Sequence, residues 1–71
     1  MRLYQKIDIV ESRRKDYLID YFQRIPSSER YNVKYYISDM NDTYKFIHNA
    51  FFPNSVYIVD HFHIVKLFTD A

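Results

Sequence analysis

The chain has 71 residues, 48% hydrophobic and 20% aromatic, and its ten basic and nine acidic side chains leave a net charge of +1. That content is too apolar for a disordered linker, yet so short a chain buries only ~60% of the surface its unfolded form exposes, so 1–71 reads as one small domain or a piece of a larger one. Near-neutral charge gives no bulk field for nucleic acid, the lack of cysteine removes disulfides and thiolate chemistry, and the lack of glycine removes phosphate loops and dinucleotide fingerprints.

The amino end, "MRLYQKIDIV", is charged rather than signal-like, and no apolar run approaches the ~20 residues of a spanning helix. The expectation is a cytoplasmic protein with no membrane partner. From Tyr4 to Val10, Ile7 and Ile9 alternate with Lys6 and Asp8, the period of a half-buried strand. Glu11 ends it. Ser12 suits a helix N-cap, and Tyr17, Leu18, Tyr21, Phe22 and Ile25 then recur at helical spacing until Pro26. Arg13-Arg14-Lys15 is the one basic knot, and three cations at a helix start read most simply as a solvated face. "PSSERYN" is turn chemistry, with room for a single helical turn.

The second strand is Val33 to Asp39, "VKYYISD", rich in β-branched and aromatic residues. Asn41 or Asp42 can cap the next helix, which places Tyr44, Ile47, His48 and Phe51 on one face and stops at Pro53-Asn54. A third strand runs from Ser55 to Val59 and ends on Asp60. A last helix is expected from about His61, with Phe62, Val65 and Phe68 or Thr69 inward. The order is β-α-β-α-β-α, an α/β class with right-handed crossovers and a parallel sheet.

In such sheets ligands bind outside the carboxyl ends of the strands, and Glu11, Asp39 and Asp60 are all expected there. Gathered carboxylates can hold magnesium, which takes oxygen ligands from one or two side chains and completes its shell with water and phosphate. Asp60 and Asp39 can equally serve as helix caps, and a lone Glu11 before a helix is ordinary. His61 and His63, two apart, would point to different faces of a helix, so a joint zinc site there needs a non-helical segment. His63 alone suits an orienting or structural role, and His48 has no assignment beyond packing or exposure. The eight tyrosines could stack on bases, but most fall at inward positions. A phospho-acceptor receiver domain would also put an acid at a strand end, but needs five strands, a cluster of acids after the first and a late lysine, a set for which this chain is too short.

Three patches, "SRRKDYLIDYF", "ISDMNDTY" followed by "FFPNS", and "VDHFHIVKL", together resemble the middle of the catalytic domain of bacterial insertion-sequence transposases of the ISL-three family. The last patch is the most specific, with His61 where an arginine is common. The resemblance implies a partial RNase H-like, integrase-like fold whose DDE acid triad uses Mg2+ (or Mn2+) to cut and rejoin DNA at transposon ends. By the match of "ISDMNDTY", Asp39 is the second acid and a metal ligand. Asp60 and His63 are similar to the acid-x-x-His signature that supports the site in several transposase groups.

The same resemblance puts the first catalytic Asp before Met1 and the catalytic Glu beyond Ala71, so the chain is expected to be a fragment inactive alone. It corresponds to strands three, four and five of a sheet ordered 3-2-1-4-5. Two edges would then be open, which implies a rearranged three-stranded sheet or, in preference, a homodimer. The alternative function is a non-catalytic remnant acting as a dimerisation or protein-interaction module. Neither reading calls for a small-molecule substrate.

Overall fold

A computed structural model describes residues 4–10, 14–61 and 63–70, with side chains from Val10 onward except that of Asp70. The elements are β1 (Tyr4–Val10), α1 (Lys15–Gln23), α2 (Ser27–Arg30), β2 (Tyr35–Ser38), α3 (Asp42–Phe51), β3 (Val56–Val59) and β4 (Val65–Asp70). Expectations for Glu11, Ser12, Arg13 and Phe62, and for the facing of Ile7 and Ile9, lie outside the described residues and side chains.

Local chemistry explains where the helices start and stop. α1 buries Leu18 and Phe22, four residues apart and therefore on one face. Arg14 precedes it and makes no side-chain cap bond. Pro26 leads into the single turn of α2, where Arg30 donates from Nε to the Ile25 carbonyl (3.1 Å) and from Nη1 to the Phe51 carbonyl (3.4 Å). That one guanidinium joins α2 to the ends of α1 and α3. At the start of α3 the Asn41 side chain accepts from the Tyr44 amide at 2.8 Å, an N-cap worth about 1 kcal/mol. The α3–β3 turn closes with Ser55 Oγ donating to the Phe52 carbonyl at 2.7 Å.

The described strands form one four-stranded sheet in the order β1-β4-β2-β3. β2 and β3 are parallel, with Tyr35 opposite Val56 and Ser38 opposite Val59. β4 runs antiparallel to both β1 and β2: Lys66 faces Ile9 on one side and Ile37 on the other. The β1–β4 register shifts between Lys6 and Asp8, an irregularity of the β-bulge kind.

Two expectations are corrected here. The segment after Asp60 is a strand, not a helix, and the sheet is mixed, not a parallel β-α-β-α-β-α arrangement or a three-stranded one. The physical reason is backbone pairing. β1 and β2 do not pair with each other, and a helix after Asp60 would bury one stripe of side chains while leaving facing N–H and C=O groups of both strands unmatched. As a strand, "VKLFTD" pairs its backbone on both sides, and its alternation puts Val65 and Leu67, both fully buried, on one face.

The helices lie on one face of this sheet. β1, β2 and β3 run the same way and follow one another across the sheet in a single direction, so crossovers of one hand bring α1 and α3 to the same side. The core lies between the layers, with Leu18 and Phe22 from α1, Tyr44 and Ile47 from α3, Tyr36 from β2, and Val65 and Leu67 from β4. Phe22 meets Phe52 edge to face at a centroid distance of 5.1 Å, and Tyr36 lies against Phe52 at 5.6 Å. No buried side-chain polar atom among the described residues lacks a hydrogen-bond partner. The opposite sheet face, bearing Tyr35, Ile37, Val56, Ile58, Lys66 and Phe68, carries no helix among the described elements.

Phe22→Ala removes the ring that joins α1 to Phe52 and should cost about 3–5 kcal/mol, comparable to the about 5 kcal/mol at the low end of domain stabilities, read as a loss of most of the cooperative urea transition. Strand pairing of β4 on both sides predicts slow amide exchange and strong sequential Hα–HN contacts at Lys66–Phe68; strong sequential amide–amide contacts there would indicate a helix instead.

Candidate functional site

The parallel pairing of β2 and β3 brings their carboxyl ends to one edge of the sheet. Asp39 follows Ser38 at the end of β2, and Asp60 follows Val59 at the end of β3, where its amide donates to the Ser38 carbonyl at 2.8 Å. β4 is antiparallel to them, so its amino end, preceded by His63 and Ile64, comes to the same edge. The carboxyl end of β1 is there too, with Val10 opposite Val65. Asp39, Asp60 and His63 therefore share an edge because of strand direction.

Within that edge the side chains sort into two groups. The Asp39 side chain, only 16% exposed, receives His63 Nδ1 on Oδ2, while the His63 side chain is 60% exposed. Asp39 Oδ1 accepts from the Asn41 amide at 3.3 Å. Asp60 Oδ1 instead accepts from the His61 amide at 2.6 Å, and its Oδ2 lies 3.7 Å from Lys66 Nζ. The histidine thus bonds to the acid 24 positions earlier in the chain, and the acid three positions away pairs with a lysine. Capping of α3 falls to Asn41, with Asp39 in a turn just before it.

A layer of hydroxyls sits beneath the pair. The Asp39 carbonyl accepts from Tyr57 Oη at 2.5 Å and from Ser38 Oγ at 2.9 Å, and those two hydroxyls are 2.6 Å apart. Burial raises the Tyr57 pKa, against the opposing effect of its contact with the Ser38 hydroxyl, so the phenol stays a donor at neutral pH. The His63 carbonyl accepts from Tyr44 Oη at 3.1 Å. Tyr36, more strongly raised by its own burial, donates to the Tyr44 carbonyl at 2.8 Å. The sequence places these tyrosines inward as core residues; their hydroxyl partners come from other elements and leave no local signal.

The remaining candidates lie apart from this contact. His48 sits beside the rings of Tyr36 and Tyr57 at 5.2 and 5.1 Å and donates from Nε2 to the Ser55 carbonyl at 3.0 Å, so it braces the α3–β3 turn. His61 is exposed. In the basic knot, Arg14 pairs with Asp16 at 2.9 Å, both side chains exposed, and Lys15 Nζ stands 4.3 Å from the centre of the Phe46 ring.

Asp39 offers the hard oxygen chemistry that magnesium takes, but both of its oxygens already have protein partners. No group of three His, Cys, Asp or Glu side chains among the described residues could hold a metal ion. The described residues therefore form no metal centre by themselves. None of their helices is long and apolar enough to cross a membrane.

Comparison with known proteins gives one family. The family model of the ISL-three DDE transposases, described as "Transposase", matches residues 2–71. No curated protein and no solved structure matches the chain. The match takes in the strand ends that carry Asp39, Asp60 and His63, and because it spans nearly every residue, this chain belongs to the ISL-three family of insertion-sequence transposases.

Proposed function

We propose that the chain is the Asp39-bearing part of an RNase H-like DDE catalytic core, which in the intact protein binds transposon ends and cuts and rejoins DNA with magnesium or manganese. The observation that carries this reading is the position of Asp39: a largely enclosed carboxylate at the carboxyl end of β2, beside a parallel strand and in contact with His63, in a chain that matches the transposase family along its length. Ligands in parallel sheets gather at such ends, and strand transfer needs carboxylates there to hold metal against phosphate oxygens.

In this reading Asp39 is the second acid of the triad and a metal ligand. His63 supports it by direct contact, and Asp60 supports the same edge through its bonds to the His61 amide and Lys66. One carboxylate does not make a two-metal site, so the isolated 71-residue chain should not cleave DNA, and the other acids must come from outside the described residues.

A second reading has its own observation. β3 is an edge strand with Val56, Ile58 and Val59 exposed at 52%, 39% and 53%, and no charged residue interrupts it. Such an edge is a template for pairing, which suits a non-catalytic module that forms a homodimer.

Manganese titration watched by NMR tests the first reading: resonances around Asp39 should broaden selectively, and Asp39→Asn should abolish the effect. Broadening confined to His61 and His63 would sink the carboxylate assignment. For the second, sedimentation equilibrium should give a dimer that Ile58→Lys converts to monomer; a wild-type monomer at high concentration counts against it.

A further inference from the structure

The contact between Asp39 and His63 lies just past the paired ends of β2 and β4, whose last matched residues are Ile37 and Lys66. Asp39 stands past the end of β2, and His63 stands before the start of β4. Each side chain could turn into solvent at the sheet edge, and the His63 side chain is already more exposed than enclosed. The ladder brings the two residues to one edge, and bonds beyond its last pair set how each backbone stands there.

The phenol hydroxyls occupy the positions that do so. Tyr57 projects from β3, the strand beside β2, and its hydroxyl ends on the Asp39 carbonyl at 2.5 Å, with Ser38 Oγ bridging at 2.6 and 2.9 Å. Tyr44 rises from α3, with its side chain fully buried, and its hydroxyl ends on the His63 carbonyl at 3.1 Å. Neither bond belongs to a strand ladder or a helix. Both tyrosines are themselves set: the Tyr57 ring packs against Tyr36 and His48 at 5.1 Å from each, and the Tyr44 backbone is held by Asn41 and by Tyr36 Oη. A core needs only the rings at these sites. The hydroxyls act on the backbone of the two residues that touch, which sets where each Cα stands and so whether a staggered rotamer lets the side chains meet.

We propose that Tyr57 and Tyr44 are positioning residues for the Asp39–His63 pair: Tyr57, with Ser38, holds the backbone of Asp39, and Tyr44 holds that of His63. The proposal rests on the reading of Asp39 as a metal ligand only for its functional consequence. The positioning itself can be read without metal. Shell residues that orient a ligand typically change metal affinity by 10-fold or more when removed.

The test compares wild type with Tyr57→Phe and Tyr44→Phe, which keep the ring and remove the hydroxyl. The first readout is the through-space NMR contact between the His63 ring protons and the Asp39 β protons, which should fall at least about 2-fold in each variant while the unfolding transition stays cooperative, because removal of one neutral hydrogen bond costs only about 1 kcal/mol. The second is apparent Mn2+ affinity from paramagnetic broadening, which should fall about 10-fold. If either Phe variant fails to fold, Ser38→Ala carries the same comparison for Asp39. An unchanged His63–Asp39 contact in the folded variants overturns the positioning role. A weakened contact in a protein whose wild type shows no Mn2+ effect upholds the positioning role and counts against metal binding by Asp39 in this chain alone.

Discussion

The structure depends on one strand satisfying two others at once. β4 lies between β1 and β2, antiparallel to each, and its backbone groups alternate between the two partners. Removal of that pairing would leave β1 with no neighbour and β2 with one, since β1 pairs only with β4 among the described strands. Unpaired backbone groups in a folded interior cost about as much as a lost hydrogen bond each, and a 71-residue domain has little reserve to absorb such losses. Val65 and Leu67 add the apolar side of the same arrangement, since both are fully buried under the helices. Pairing and burial are thus satisfied by the same six residues.

That central strand also determines the candidate site. Because β4 runs against β2, its amino end meets the carboxyl ends of β2 and β3, and His63 arrives beside Asp39. Had the same segment formed a helix, the spacing Asp60-x-x-His63 would have put acid and histidine on adjacent turns, and a local pair between them would have been natural. The strand and its preceding turn separate them. Asp60 pairs with Lys66, a β4 residue, and His63 reaches Asp39. Tertiary pairing therefore exchanged a local partner for one 24 positions away.

The layered hydroxyls show how a chain without glycine or cysteine orders a sheet edge. Loop carbonyls past the last ladder bond need donors, and Tyr57, Ser38 and Tyr44 provide them from buried or half-buried positions. The aromatic content that makes the core possible also supplies these donors, so packing and orientation share the same side chains. The transposase family match spans the residues on that edge.

Much of this was legible in the sequence, and the failures have a common cause. Alternation at Tyr4–Val10 marked β1, helical spacing and Asn41 marked α3, "PSSERYN" marked a polar connector with room for the turn of α2, and the acids at strand ends marked the edge where Asp39 and Asp60 stand. These signals are local: residue spacing, caps and turn chemistry act within a few positions. The three patches likewise identified the family from the residues alone. The segment after Asp60 was different, because Val65, Lys66, Leu67 and Phe68 admit either period over so short a run. What decided it was the demand of β1 and β2 for a shared partner, and only their folding side by side creates that demand. The same holds for the Asp39–His63 contact and the hydroxyls beneath it. Composition and spacing determined which groups this chain has to work with and where its elements begin; strand pairing, a property of residues far apart in sequence, decided which of those groups meet.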